Sequence, residues 1–423
     1  MEFNGNPAKA PLWTKDFTII TVGSVISMLG NSLSGFALGL LILDYTGSTL
    51  YYAIYMAMYM LPRVVTPVIA GPLLDRFSRK KAIYTLDFIS SGLYLILAGV
   101  LLTGWFNFAI LAVGCLILGT IDSIYLVAYE SLYPMLVSEG NFSKAYSVSS
   151  TLETLTMLMI PASALIYNLV GIAPLFAFNA VTYLIAAIME TRISANEKYV
   201  QTRSAEEDAQ SVKPTLWGRF KTDLKEGMKY LISEKGLLAV AIYFTFSAFA
   251  NGASSVITLP YFKGSFENGE YVYMIVWGMA MVGRVIGGGL HYRLKLPANA
   301  KYGVALAVYV IISLLEGSYL FLPRTAMMVM CFLTGILGVT SYNIRISATQ
   351  SYVPDEKKGR FNGTFSMLNT VGLLIGELAA GALTELIPER AVLAIFMGIC
   401  ALAAVIFIGG GRKHVAKIYN RQM

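Results

Sequence analysis

Charge is what this chain has least of. Only 13% of its 423 residues are Asp, Glu, Lys or Arg, about half of the ~25% usual in soluble domains. A soluble domain of that length could not cover its surface with so few charges, whereas lipid can cover most of a polytopic membrane protein. Cysteine is scarce as well. Cys115, Cys331 and Cys400 all lie inside apolar runs, which gives neither a disulfide framework nor metal-ligand spacing. The two histidines, His291 and His414, are too few and too far apart for a metal site. No nucleophile–base set and no phosphate-binding loop is present, so an enzyme is not expected, and neither is a cofactor. A cleavable leader is not expected either, because the first apolar run is too long and lacks a clear small-residue cleavage site.

What fills the chain instead is hydrophobic residue, 56% of the total. A spanning helix needs about 20 mostly apolar residues, and twelve such runs can be read: 17–42, 49–74, 82–103, 107–133, 145–169, 172–190, 236–261, 270–292, 301–321, 325–351, 361–385 and 390–410. Residues 191–235 form a polar, charge-rich stretch that includes Glu206, Glu207 and Asp208. The expected organisation is therefore a six-helix bundle over 1–190, a cytoplasmic linker over 191–235, and a second six-helix bundle with a short tail over 236–423.

The bases fix an expected orientation. Of the 32 Lys and Arg residues, Lys263, Arg324 and Arg390 fall on one side, and Arg63, Arg284 and Arg345 lie within runs. All the others fall on the opposite side, which the positive-inside rule makes cytoplasmic, with both termini. The net charge of +7 is thus topogenic, and a nucleic-acid partner is not expected. The halves also repeat at an offset of about 216 residues: Gly119 falls on Gly335, Val137 on Val353, Glu139 on Asp355, Lys144 on Arg360, Ser150 on Ser366 and Thr154 on Thr370.

Between the second and third runs lies GPLLDRFSRKK, Gly71 to Lys81. It resembles the signature loop of the major facilitator superfamily, G-x-x-x-D-R-x-G-R-R/K, with Gly71, Asp75, Arg76, Arg79 and Lys80 matching and Ser78 replacing a glycine. The resemblance implies two parallel six-helix halves and a cytoplasmic latch that stabilises the outward-facing state. Within the superfamily, SVISMLGNSLSGFALGLLILDYTGST, FAFNAVTYLIAA and QSYVPDEKKGRFNG resemble the drug-efflux branch of macrolide and enterobactin exporters. Where those exporters often carry an acid after the first-helix glycine, this chain has Asn31. The fifth run carries Ile160-Pro161-Ala162-Ser163 in place of the glycine-rich antiporter motif.

Ionisable groups deep in a membrane cost several kcal/mol unless paired or hydrated, which makes them candidates for function. With the run ends above, the deep ones are Arg63, Asp122, Glu153, Arg284, Arg345 and Glu377, whereas Asp87, Glu130, Glu190 and Glu316 lie near run ends. Asp122 and Arg63 are each about twelve residues from a cytoplasmic end, roughly 17 Å, hence near the midplane and able to pair. Such a pair is either a proton-coupled switch or a static clamp between two helices. The expected proton-coupling set is Asp122, Glu153, Arg63, Glu377 and Arg345. Tyr51, Tyr55 and Tyr59 recur every fourth residue, as do Tyr125, Tyr129 and Tyr133, while Trp277, Arg284 and His291 recur every seventh. Both spacings keep side chains on one helical face. Asn31, Tyr55, Tyr59, Tyr125, Tyr129, Trp277 and Arg284 are the expected substrate contacts, with Tyr51 and Tyr133 as interface anchors. The expectation is a monomeric transporter in the cytoplasmic membrane that exports an amphipathic small molecule in exchange for protons. An uptake symporter of the same fold, or a lipid or lysolipid translocator, remains as the alternative.

Overall fold

The computed structural model describes residues 11–63, 66, 78–138, 141, 145, 148–149, 152, 159–194, 216–293 and 296–421. No strand occurs among them. Ten of the described helices are long and apolar enough to cross a membrane, and each coincides with one of the expected runs. The second and fifth runs are described over Thr49–Met60 and Met159–Val170, with much of the remainder outside the described residues. The chain divides into two compact units, one formed by Met1–Tyr45 and Leu61–Leu216, the other by Thr46–Met60 and Trp217–Met423.

The first unit holds α1 (Lys15–Thr46), α3 (Arg79–Leu102), α4 (Phe108–Leu136), α5 (Met159–Val170) and α6 (Ile172–Glu190). Capping side chains set where two of these begin. Ser78 accepts from the Lys81 amide at 3.1 Å and Asn107 from the Ile110 amide at 3.2 Å, each satisfying a donor that the first helical turn leaves unpaired. Helices α3 and α6 run closely together: Ser91 donates to the Ala180 carbonyl at 2.7 Å, and Tyr94 stacks on Tyr183 with ring centroids 5.6 Å apart. Against α6 lies α1, with Asn179 donating to Ser34 at 2.7 Å. At one end Phe17, Ile20, Ile83, Leu132 and Tyr133 close a buried apolar cluster. Tyr133 is therefore core, donating to the Ala145 carbonyl at 2.8 Å, and not the interface anchor its place near a run end suggests. Tyr51 is exposed.

The second unit holds α2 (Thr49–Met60), α7 (Leu216–Ser233), α8 (Lys235–Ser265), α9 (Gly269–Arg293), α10 (Lys301–Ser318), α11 (Arg324–Tyr352), α12 (Asp355–Thr384), α13 (Glu389–Ala403) and α14 (Arg412–Tyr419). Lipid tails are as apolar as leucine, so membrane helices associate where small residues let backbones approach. Here a Cβ on Gly376 of α12 would overlap the Phe249 carbonyl of α8, and one on Gly283 of α9 would overlap the Phe332 carbonyl of α11. The α2 segment packs on α12, with Gly381 facing Ala53 and Ser48 donating to Glu385 at 2.7 Å. Part of the polar stretch is also folded. Helix α7 lies on α12 through a Glu226–Arg360 ion pair at 2.8 Å, and the Lys357 ammonium sits 4.5 Å from the Tyr230 ring centroid.

The internal repeat is visible in the backbone. Helices α4 and α11 each span 29 residues, and adding the expected 216-residue offset to Phe108 and Leu136 gives Arg324 and Tyr352. Their next residues, Val137 and Val353, leave the helix in the same extended conformation, with ψ of 126° in both.

Candidate functional site

Each unit contains a cavity. The one in the first unit, about 250 Å³, is lined by residues of α1, α3 and α4 together with Arg63, Ser149 and Tyr183. The one in the second unit, about 640 Å³, is lined from α8 to α13. The two occupy equivalent places in the repeat. From α1 and α4, Asn31, Asp122, Tyr125 and Tyr129 line the first cavity, and their equivalents Ser247, Gly338, Ser341 and Arg345 line the second. One frame thus carries two linings: Asp87, Asp122, Arg63 and phenols in the first unit, and Arg284, Arg345, Glu316 and aromatic rings in the second.

Asp122 is the fifteenth of the 29 residues of α4, about 21 Å of helix from either end, so it sits at midspan. Its carboxylate lies 3.8 Å from the Arg63 guanidinium and accepts a long hydrogen bond from the Asn31 amide at 3.5 Å. Asn31 in turn accepts from the Tyr94 hydroxyl at 2.8 Å. Packing of α3 on α6 thereby fixes the orientation of Asn31, and Asn31 orients the acid. The Asp122 and Arg63 side chains are 24% and 41% exposed, and both residues line the first cavity. A partly exposed pair can be separated more cheaply than a fully desolvated one.

The expected phenol row divides. Tyr125 and Tyr129 line the first cavity and stack on each other with centroids 6.1 Å apart. Tyr55 and Tyr59 belong to α2 in the second unit and line neither cavity; Tyr55 is buried beside Tyr52. In the second cavity Arg345 lies 5.0, 5.1 and 5.6 Å from the ring centroids of Phe244, Phe365 and Tyr342, a cation–π cradle. Arg284 and Glu316 line the same cavity. Trp277 stacks on Tyr273 at 6.5 Å and lies outside it. Glu377 and Arg345 are not brought together: Glu377 is buried, accepts from Ser255 at 3.4 Å, and does not line the cavity.

Of the residues expected to form a latch, Arg79 donates to the Ser131 carbonyl at 3.2 Å and Lys80 to the Ile193 carbonyl at 3.1 Å. These bonds tie the start of α3 to the end of α4 and to the chain leaving α6. Gly71, Asp75 and Arg76 lie outside the described residues, as does Glu153.

Two acids that the sequence places at run ends are the unexpected part of the site. Asp87 and Glu190 are 1% and 0% exposed. The two carboxyl groups are close neighbours, and the Tyr125 hydroxyl donates to Glu190 at 3.3 Å. The available signal was a matched pair of acids on two runs, but nothing in either run says that α3 and α6 face each other.

The family model described as Major Facilitator Superfamily matches residues 20–323. Macrolide efflux protein A of Streptococcus pyogenes is 25% identical over 385 residues, covering 87% of this chain and 90% of that protein. YkuC of Bacillus subtilis, an uncharacterized transporter of the same type, is 24% identical over 290 residues, 66% of each. The crystal structure of a point mutant of the nucleoside transporter NupG superposes with a TM-score of 0.64 at 13% identity, covering 93% of this chain and 99% of that one, a likeness of fold alone. With its all-helical architecture, its membrane-spanning helices and its repeat-related cavities, the chain belongs to the major facilitator superfamily of transporters.

Proposed function

We propose that this transporter is a proton-coupled exporter of an amphipathic small molecule, working by alternating access in the cytoplasmic membrane as a monomer with both termini inside. The observation that carries the reading is the midspan Asp122–Arg63 pair, partly open to a cavity. Protonating Asp122 removes its attraction for Arg63, and deprotonation restores it, so the pair can report the proton load as the cavity opens and closes. Glu153 and Glu377 are further candidates for carrying protons.

Cargo is held by aromatic faces, phenol hydroxyls and the charges of the second cavity. Macrolide efflux protein A covers most of this chain at 25% identity, which favours export over uptake and a bulky amphipathic cargo over a lipid. The loop from Gly71 to Lys80 acts as the cytoplasmic latch. In liposomes with a trapped pH-sensitive dye, a panel of dyes, macrolides and siderophores should include a compound that moves protons. The proton movement should vanish in Asp122→Asn. A wild-type rate of uphill transport in that variant would remove Asp122 from the mechanism.

A further inference from the structure

Asp87 on α3 and Glu190 at the end of α6 are almost wholly buried, and each has a buried carboxyl oxygen with no hydrogen-bond partner among the described residues. A carboxylate only accepts, so two neighbouring carboxyl groups can hydrogen-bond to each other only when one of them carries a proton. Burying two adjacent carboxylates without a cation would be costlier still. Among the described residues no Lys, Arg or His forms an ion pair with either acid.

The surroundings supply few alternatives. From α4 come Tyr125, which donates to Glu190, and Asp122, which lines the same cavity as Asp87 and is itself occupied by Arg63 and Asn31. Tyr129 stacks on Tyr125 from the cavity side. From α1 come Gly23, whose missing Cβ leaves room for the Glu190 carboxyl, and Ser24, in hydrogen-bonding contact with Tyr125 at 3.2 Å. Among the described residues no side-chain or backbone donor reaches Asp87 Oδ2 or Glu190 Oε2.

We propose that Asp87 and Glu190 together form a second proton-binding site of this transporter, separate from Asp122 and reached from it through the first cavity. With one proton shared, the pair carries a single negative charge. Release passes that proton to cavity water and leaves two carboxylates, a state that only a wetter arrangement of α3 and α6 supports; closure takes a proton back up. Proton release is thus tied to hydration between these two tightly packed helices. The transport role rests on the proton-coupled reading above, while the protonated state of the pair does not.

Two measurements separate them. Infrared difference spectra of the purified full-length protein at neutral pH should contain the C=O stretch of a protonated, hydrogen-bonded carboxyl. That band should be lost in the Asp87→Asn/Glu190→Gln double variant and shifted in Tyr125→Phe, which alters the hydrogen bond without removing an acid. If wild type and the double variant have the same protonated-carboxyl spectrum, the site does not exist. In liposomes, Glu190→Gln should retain substrate counterflow, which needs no gradient, while accumulation driven by a pH gradient falls at least tenfold. Undiminished gradient-driven accumulation would reduce the pair to a structural contact and overturn its transport role. Absence of any proton-coupled flux in the wild type would sink the exporter reading, while the infrared band still decides whether the pair binds a proton. Should Glu190→Gln fail to fold, Tyr125→Phe carries the spectroscopic test alone.

Discussion

Gly30, at the middle of α1, offers the sharpest test of how the first unit is packed. A Cβ at this position would overlap Asn179 Oδ1 and Thr182 Oγ1 of α6. Both side chains are buried, and they are already committed: Asn179 donates to Ser34 at 2.7 Å, and Thr182 donates to the Asn179 backbone carbonyl at 2.7 Å. Gly30→Ala therefore forces either helix separation or a rearrangement of this polar cluster. Overpacking costs about 1–3 kcal/mol, and a buried polar group left unpaired adds about 1–3 kcal/mol. The helix-propensity gain of Ala over Gly returns at most about 1 kcal/mol. The net is a destabilisation of roughly 1–5 kcal/mol on those three terms. Gly35, on the same helix, meets nothing within 4 Å of the added atom, so Gly35→Ala should be neutral or slightly stabilising. Thermal unfolding of both variants in the same detergent should lower Tm by several degrees for the first alone. Adding Thr182→Ala to Gly30→Ala should recover part of the loss by vacating the contested space. Equal Tm values for the two single variants would refute the close α1–α6 contact.

Asp122→Asn should abolish pH-gradient-driven accumulation in liposomes while leaving counterflow and Tm near wild type, since the pair with Arg63 is partly exposed and such pairs contribute about 0–1 kcal/mol. Arg345→Ala removes three ring contacts and should weaken binding of a transported compound about tenfold by equilibrium titration, with Arg345→Lys intermediate because lysine keeps the charge without the planar face. Glu226→Gln breaks an ion pair whose partners are about half exposed, so thermal unfolding should change by less than about 1 kcal/mol. Gly227→Leu, by contrast, would drive a side chain into Thr364 and the Arg360 carbonyl and should detach α7, read as faster proteolysis between α6 and α8.

The architecture was readable because a bilayer imposes a length and an apolarity on every span, and few residues can disguise that signal. The midspan depth of Asp122 follows from the same arithmetic, as does its ability to meet Arg63. What the sequence does not carry is azimuth, the direction in which each helix face points. Tyr55 and Tyr125 stand in rows with identical spacing, yet the first is packed among α2 neighbours and the second lines a cavity. Asp87 and Glu190 illustrate the same gap. Their nearness to run ends suggested water, but tight packing of α3 on α6 buries both. Glu377 and Arg345 sit on adjacent helices, yet one turns toward Ser255 and the other toward three aromatic rings.

The matched lengths of α4 and α11 have a practical consequence. Because the frame is duplicated while the cavity walls differ, a residue can be transplanted to its counterpart 216 positions away without inventing a new backbone. Tyr129 and Arg345 are such counterparts, each already shaped into a wall by its own half. A chain built this way can change the wall of one cavity while the other keeps its own lining, so the two halves are free to diverge at different speeds.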